Sequence, residues 1–452
     1  MKTILITIFH GAAAKNILRT KVIKALLARP DVRVVCLMRF PDRALSYQKE
    51  IPHERVTYDT FYKIPSEALE RLFSFLKFRL IRTATTDLRH RTSYDMHKNY
   101  ARYAVSTLFN RLAARPYVRK TLRFFDFHLI GDPGFGAVLE KYRPDVVVLT
   151  NLFDDGEVSL LRESKKRKIA TIGYVNSWDK LTARSSVRLL PDTLMVFNEI
   201  LKQEATEHAD MPEERIAVCG IPQYDQYVTD APIPRKEFFE KNGLNSARHL
   251  ILYAPVGITF SDSDWEVIDL LHEIISNGEI QDAQLLVRFP PNDFLDEREL
   301  ARRPWLKYDL PGIRFGTKRS EDWDMNFDEL RRMTDLLAHT SVVVGYSASI
   351  IVDAAVFDKP SVGVNFEVKK SPLLARSPTQ RYKTDHFKKV LRVRGIRLAG
   401  NPQELIDLIN GYLRDPLLDK DQRKRFAEEQ CWRLDGKSGE RVASVILKTI
   451  GG

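Results

Sequence analysis

Short runs of consecutive apolar, largely β-branched residues alternate along this chain with stretches in which apolar positions return every third or fourth residue. The first pattern is that of strands buried on both faces, the second that of amphipathic helices. The runs predict strands over 3–9, 32–38, 145–150, 170–175, 193–198 and 215–219, then over 249–253, 284–289, 313–315, 341–345 and 361–364. Helices are predicted over 15–28, 157–166, 199–207, 265–275, 327–339 and 349–357, with a helical tail over 402–412 and 423–450.

Strand–helix alternation calls for parallel sheets covered on both faces. Two such series predict an α/β chain of two doubly wound, Rossmann-like domains. The seam falls near 220–234, where GIPQYDQYVTDAPIP concentrates Pro222, Pro232 and Pro234. The expected division is 1–219, carrying a basic helical insertion over 71–127, and 220–452, closed by the helical tail. Ligands of open parallel sheets bind outside the carboxyl ends of the strands, so two facing sheets make a cleft lined by both sets of loops. No internal repeat or low-complexity tract is present.

With 452 residues, 44% hydrophobic and 29% charged, the composition excludes a disordered chain, a collagen and a small disulfide scaffold. Cys36, Cys219 and Cys431 lie far apart without CxxC spacing, which predicts a reducing compartment and no structural zinc. The start, MKTILITIFHGAAAKN, has a short, Thr-interrupted apolar run that reads as a first strand ending in a Gly turn rather than a signal peptide. A cytoplasmic protein is expected.

The net charge of +11 is concentrated. Between Arg71 and Phe125 there are 13 Lys and Arg against 2 Asp, so the other 397 residues are balanced. The same segment is rich in Phe and Tyr, with Leu72, Phe75, Leu76 and Leu80, and Ala101, Val105, Leu108 and Leu112, at helical spacing. Basic helices with an apolar face suit an anionic membrane surface or a lipid-linked acceptor. They equally suit an insertion packed on its own domain with solvated arginines. No nucleic-acid-binding pattern accompanies them, and no nucleic-acid partner is expected.

Chemistry is sought at the strand ends. In SVVVGYSASIIVDAAVFDKPSVGVNFE, Gly345 ends a buried strand and the next helix opens on Ser347 and Ser349. Free N–H groups at such a helix start favour a phosphate, with the two hydroxyls as added donors. Asp353, one turn on, is placed to meet a ribose or sugar hydroxyl. Ordinary helix capping explains the same residues. Arg288 ends the strand QLLVRFPP and offers a fixed fork of donors to a phosphate oxygen. Tyr253-Ala254-Pro255 ends the first strand of the second domain.

In the first domain, His10 and Gly11 follow strand one, and Ser177, Trp178, Asp179 and Lys180 follow the strand over 170–175. His10 and Asp179 are the titratable groups there able to take a proton from a hydroxyl. Three Asp-x-Asp spacings (Asp262/Asp264, Asp322/Asp324, Asp419/Asp421) are no more than 34 Asp in 452 residues give by chance. GDPGFG over 131–136 only loosely matches GxGxxG, interrupted by Pro133. There is no His/Cys metal cluster and no Walker loop. Neither a metal nor a cofactor is expected.

Taken together, these motifs resemble the GT-B glycosyltransferase superfamily, nearest to bacterial surface-polysaccharide transferases related to CDP-glycerol glycerophosphotransferases and UDP-N-acetylglucosamine 2-epimerases. The resemblance spans about residues 140–445. Ser177-Trp178-Asp179 with Leu181-Thr182 is similar to an SWDNLT segment, with Lys180 where Asn is usual. Gly220-Ile221-Pro222 with Asp225 looks like a GxPxxD that opens the second domain. Ala254-Pro255, Ser347/Ser349 with Asp353-Ala354-Ala355 and Lys359-Pro360, and Asp435-Gly436 with Arg441 also look like the family's segments. One departure is clear: Arg288-Phe289-Pro290 stands where glycerophosphotransferase-like members read R/K-x-H-P.

The resemblance implies transfer of a sugar from a nucleotide-diphosphate donor to a cell-surface glycan or lipid-linked acceptor. It implies donor binding by Gly220, Pro255, Arg288, Gly345, Ser347, Ser349 and Asp353. Gly11, Ser177, Trp178 and Lys180 then line the acceptor side, with His10 or Asp179 as base if configuration inverts. Transfer of a polyol phosphate from a CDP donor, epimerisation of a nucleotide sugar, and non-catalytic basic membrane binding are the alternatives.

Overall fold

The computed structural model of the protein describes residues 1–61, 68–132, 134–291, 293–315 and 323–451. Statements below concern these residues. The first strand series forms β1 (Lys2–Thr7), β2 (Val32–Met38), β3 (Val56–Thr60), β4 (Val146–Leu149), β5 (Ala170–Tyr174), β6 (Thr193–Val196) and β7 (Ile216–Val218). They make one parallel sheet in the order β3-β2-β1-β4-β5-β6-β7. Strands β1, β2 and β4 are buried almost throughout, as the uninterrupted apolar runs require of a sheet covered on both faces.

The second series comprises β8 (His249–Ala254), β9 (Ala283–Arg288), β10 (Tyr308–Asp309), β11 (Ile313–Arg314), β12 (Trp323–Asp324), β13 (Val342–Gly345), β14 (Ser361–Val364) and β15 (Arg397–Ala399). Six of them form a parallel sheet ordered β10-β9-β8-β13-β14-β15. The run over 313–315, expected in that sheet, instead pairs antiparallel with β12 as a separate two-stranded sheet. It is too short and too exposed to serve as a sheet-core strand.

The chain separates into two compact units. One holds Met1–Asp87, Ala101–Asp225 and the stretch from Trp432 onward; the other holds Leu88–Tyr100 and Gln226–Cys431. The tail therefore returns to the first unit, and its helix does not run unbroken over 423–450. It stops at Cys431 and restarts at Ser438, with Trp432 and Gly436 at φ 62 and 70° between. The Asp225 carboxylate accepts hydrogen bonds from the backbone N–H groups of Ser438 (2.9 Å) and Gly439 (2.8 Å), satisfying two orphan donors of the helix Ser438–Gly451. The predicted helix over 15–28 is likewise broken: a π turn, Ala14–Leu18, ends at Arg19, and Thr20 caps a new helix, Lys21–Leu27.

The basic insertion is helical, over Ala68–Leu76, Ala84–His97, Tyr100–Ala113 and Pro116–Leu129. Several of its cations turn inward. Lys77 reaches Asp155 (2.7 Å) and the Phe153 carbonyl (3.0 Å), and Arg119 and Arg123 both pair with Asp210. Several of its apolar residues do the reverse: Val105, Leu108 and Leu112 are 67, 58 and 63% exposed, and Phe75 and Phe124 are 54 and 59% exposed.

Candidate active site

Each sheet has one point where successive connections depart in opposite directions. In the first sheet β1 leads to β2 on one side and β4 to β5 on the other; in the second, β8 leads to β9 and β13 to β14. The crevice outside the carboxyl ends at such a switch point is where doubly wound sheets bind ligands.

In the first unit, His10 follows β1 and Asp154 follows β4. His10 Nε2 lies 3.3 Å from Asp154 Oδ2, while Arg39 Nη2 donates to Asp154 Oδ1 at 2.5 Å. Asp154 also caps the helix Asp155–Lys166 through the N–H groups of Gly156 and Glu157. Burial resists ionisation of Asp154, but the His10 hydrogen bond and the Arg39 charge outweigh it and hold the carboxyl below its ordinary range. An ionised carboxylate only accepts, so the proton on this contact belongs to His10 Nε2.

Lys180, at the start of Lys180–Ala183, donates to Asn151 Oδ1 at 2.8 Å, and the Asn151 N–H donates to Glu157 Oε2 at 2.7 Å. Burial, reinforced by the charge of Asp154, pushes Glu157 up to about 8. Burial also pushes Lys180 down to about 8. Ser177 Oγ donates to Asp179 Oδ1 at 2.6 Å. The structure thus gathers His10, Asp154, Lys180 and Asp179 at the ends of β1, β4 and β5, with Gly11 buried beside His10 and Trp178 half-buried. Asp154, Arg39, Asn151 and Glu157 were not identified from sequence. The signal for Asp154 and Glu157 was present as D-x-x-E directly after a strand, the signature of a capped helix start.

In the second unit, Pro255 lines a cavity of about 350 Å³ with Ile258, Asp262, Trp265, Phe289 and Asp293. Asp264 at its wall accepts from Tyr253 Oη (2.9 Å) and Gly257 N–H (2.9 Å), and burial pushes its carboxyl up to about 6. Ser347, buried just past β13, accepts from Arg381 Nε at 3.1 Å. Ser349 is exposed and makes no side-chain cap to the helix Ile350–Val356. A Cβ on Gly345 would stand 2.7 Å from the Ala254 carbonyl, so this glycine is required by the close approach of β13 to β8.

Arg288 is only 5% exposed and is ion-paired with Asp309 on β10, which also holds Arg332. Asp353 accepts from Tyr227 Oη at 3.1 Å in the interior. Gly220, grouped by the sequence motifs with the donor residues, lies in the first unit instead. Its φ is +84° and a Cβ there would meet Ser438 Oγ at 2.4 Å, so it lets the chain pass the last helix. Of the weaker motifs, Pro133 and Asp322 lie outside the described residues. Asp132 accepts from the N–H groups of Gly134, Phe135 and Gly136 at the start of the helix Phe135–Tyr142, whose N-cap position is Gly134.

Residues 171–448 match the family described as CDP-glycerol:poly(glycerophosphate) glycerophosphotransferase. The chain belongs to that family. As a glycerophosphotransferase-family member it is a transferase, and its two parallel sheets are those of a GT-B fold. Similar solved structures include a Staphylococcus aureus MnaA–UDP co-structure, 12% identical over 99% of this chain and 96% of that one, with a TM-score of 0.53. A Neisseria meningitidis UDP-GlcNAc 2-epimerase bound to UDP-GlcNAc is 11% identical over 99% and 100%, TM-score 0.54. The wall teichoic acid polymerase TagF with CDPG is 12% identical over 99% and 88%, TM-score 0.52. Identities this low carry the fold alone. No curated protein sequence matches the chain.

Proposed function

We propose that this family member transfers a sugar from a nucleotide-diphosphate donor to a hydroxyl of a cell-surface polysaccharide or lipid-linked acceptor. The observation that carries the reading is the His10–Asp154 contact at the switch point of the first sheet. Asp154 holds the imidazole with Nδ1 available; Nδ1 takes the acceptor proton as the oxygen attacks the anomeric carbon, and the nucleoside diphosphate leaves with the bonding pair. Asp179 is the alternative base. The donor sits on the second unit, at Pro255, Ser347 and Ser349, with protein cations rather than a metal opposing the charge of the leaving group.

The family's own name favours a second reading, transfer of glycerol phosphate from CDP-glycerol. Thermal unfolding with saturating UDP, GDP, CDP, CMP and their sugar conjugates separates the two. A ligand at ~100 times its Kd stabilises by about 2.7 kcal/mol. Stabilisation by UDP or GDP is the expected result; stabilisation by CDP alone selects the second reading. No shift with any nucleotide sinks both.

The insertion supports a place at the inner face of the plasma membrane. No helix among the described residues is long and apolar enough to span a bilayer. Val105, Leu108 and Leu112, however, form an exposed stripe on one helix face, with Arg102, Arg111 and Arg115 nearby in sequence. Cationic residues beside an apolar stripe favour an anionic surface by about 1 kcal/mol each. Co-sedimentation with phosphatidylglycerol vesicles, and not with phosphatidylcholine alone, is expected. L108S with L112S should lower the bound fraction several-fold, and equal binding by the double variant would refute this surface.

A further inference from the structure

We propose that Lys77 and Asn110 of the insertion are positioning residues for the His10–Asp154 contact, and that they tie its geometry to the surface the insertion meets. The inference rests on the membrane reading of the insertion. It starts from the bend over 77–83 that follows the helix Ala68–Leu76, whose Leu80 and Ile81 are 6 and 1% exposed. Buried carbonyl groups need donors. Asn110 Nδ2 donates to the carbonyls of Arg79 (2.9 Å) and Ile81 (2.8 Å), and Arg119 Nη1 to that of Leu80 (3.2 Å). Asn110 belongs to the helix Tyr100–Ala113, which carries the exposed stripe of Val105, Leu108 and Leu112. Residues two apart on a helix point about 200° from each other. Leu108 and Leu112 therefore face outward where Asn110, 2% exposed, faces the bend. One side chain joins the stripe to the bend.

The bend in turn grips both loops of the candidate site. Lys77, at its start, donates from Nζ to the Phe153 carbonyl (3.0 Å) and to Asp155 Oδ1 (2.7 Å), the residues on either side of Asp154. The Lys77 carbonyl accepts from the N–H and the Oγ of Ser186, at 3.0 and 3.1 Å. At the far end, Thr83 Oγ1 donates to the Thr182 carbonyl at 2.8 Å, within the short helix that begins at Lys180. Without the Lys77 ammonium, Asp155 keeps Ser74 Oγ (2.5 Å) and Arg188 Nη1 (3.0 Å) as donors. Loss of Lys77 thus loosens the chain around Asp154 and strands no buried carboxylate. All of these contacts lie within the first unit. A membrane that immobilises the stripe orders the bend, and the bend orders Asp154 against His10, a coupling carried by conformational entropy.

The test uses the full-length protein, phosphatidylglycerol vesicles as the surface, and two readouts. One is amide hydrogen exchange over residues 151–157; the other is the imidazole 15N spectrum, in which the His10 signal is the one missing from H10Q. In solution, K77M should lose the Nε2–H signal that the bond to Asp154 protects, and K77R, which keeps charge and donors, should restore it. On vesicles, wild-type exchange over 151–157 should slow about 5- to 150-fold, the usual range of coupling between two sites. K77M and N110A should still co-sediment with the vesicles but lose most of that slowing, whereas L108S with L112S loses binding and slowing together. Should N110A not fold, K77M and K77R carry the comparison. A wild type that binds vesicles with unchanged exchange, or a K77M that matches wild type in spectrum and response, overturns the inference and leaves the membrane reading intact. A wild type that stays in the supernatant overturns the membrane reading and this inference with it.

Discussion

Replacing His10 by Ala is expected to slow transfer by about 10²- to 10⁴-fold, the usual contribution of a positioned general base, while leaving nucleotide affinity unchanged. The second half of that expectation follows from the fold: His10 ends β1 of the first unit, and the donor is assigned to residues of the second. Asp154→Asn keeps the shape but removes the charge that fixes the imidazole tautomer, so it should also slow transfer, by less than His10→Ala. Because Asp154 is held ionised below the ordinary carboxylate range, it does not titrate across the assay window. If His10→Ala keeps most of its activity and Asp179→Asn loses it, Asp179 is the base.

How far this site was readable before the fold depends on sequence distance. His10, Ser177, Asp179 and Lys180 each follow a predicted strand directly, and strand ends are where doubly wound sheets bind ligands. Their partners come from elsewhere: Asp154 meets His10 across 144 residues and Arg381 meets Ser347 across 34. Spacing along one sequence carries no trace of such pairs. The same limit separates core from edge in the sheets. β4, β6 and β13 are continuous apolar runs because both their faces are covered. β3, β10 and β15 lie at sheet margins, half-exposed and mixed in composition, and no run marks them. Arg288 shows the same limit from the other side. A cation at a strand end reads as a phosphate ligand, and the Asp309 that pairs with it comes from the neighbouring edge strand, which no run predicts. In the insertion, charge density alone pointed outward, whereas Lys77, Arg119 and Arg123 face carboxylates within the first unit.

That inward charge has a large expected effect on stability. Asp126 is 1% exposed on the last insertion helix and accepts from Arg162 (2.6 and 3.1 Å) and Arg188 (2.7 Å). Arg188 continues to Glu70 (2.6 Å) and Asp155 (3.0 Å), and Asp155 to Lys77. Three carboxylates and three cations thus balance between the insertion and the sheet-covering helix Asp155–Lys166. Asp126→Ala leaves two buried guanidinium groups without their shared acceptor. Removing one partner of such a group costs about 3–5 kcal/mol, which for a unit of this size lowers Tm by roughly 10 °C. Replacing Asp126 and Arg162 together, by Leu and Met, removes charge as well as bond and should recover part of that loss, since an uncharged core of similar volume avoids the desolvation cost. Calorimetric melting of the three proteins decides the matter. A fall of less than 2–3 °C for Asp126→Ala would mean that solvent or neighbouring groups already satisfy the arginines and that the network does not hold the insertion in place. A double variant no better than the single would mean that the ion pairs specify the packing of these helices rather than merely neutralising one another.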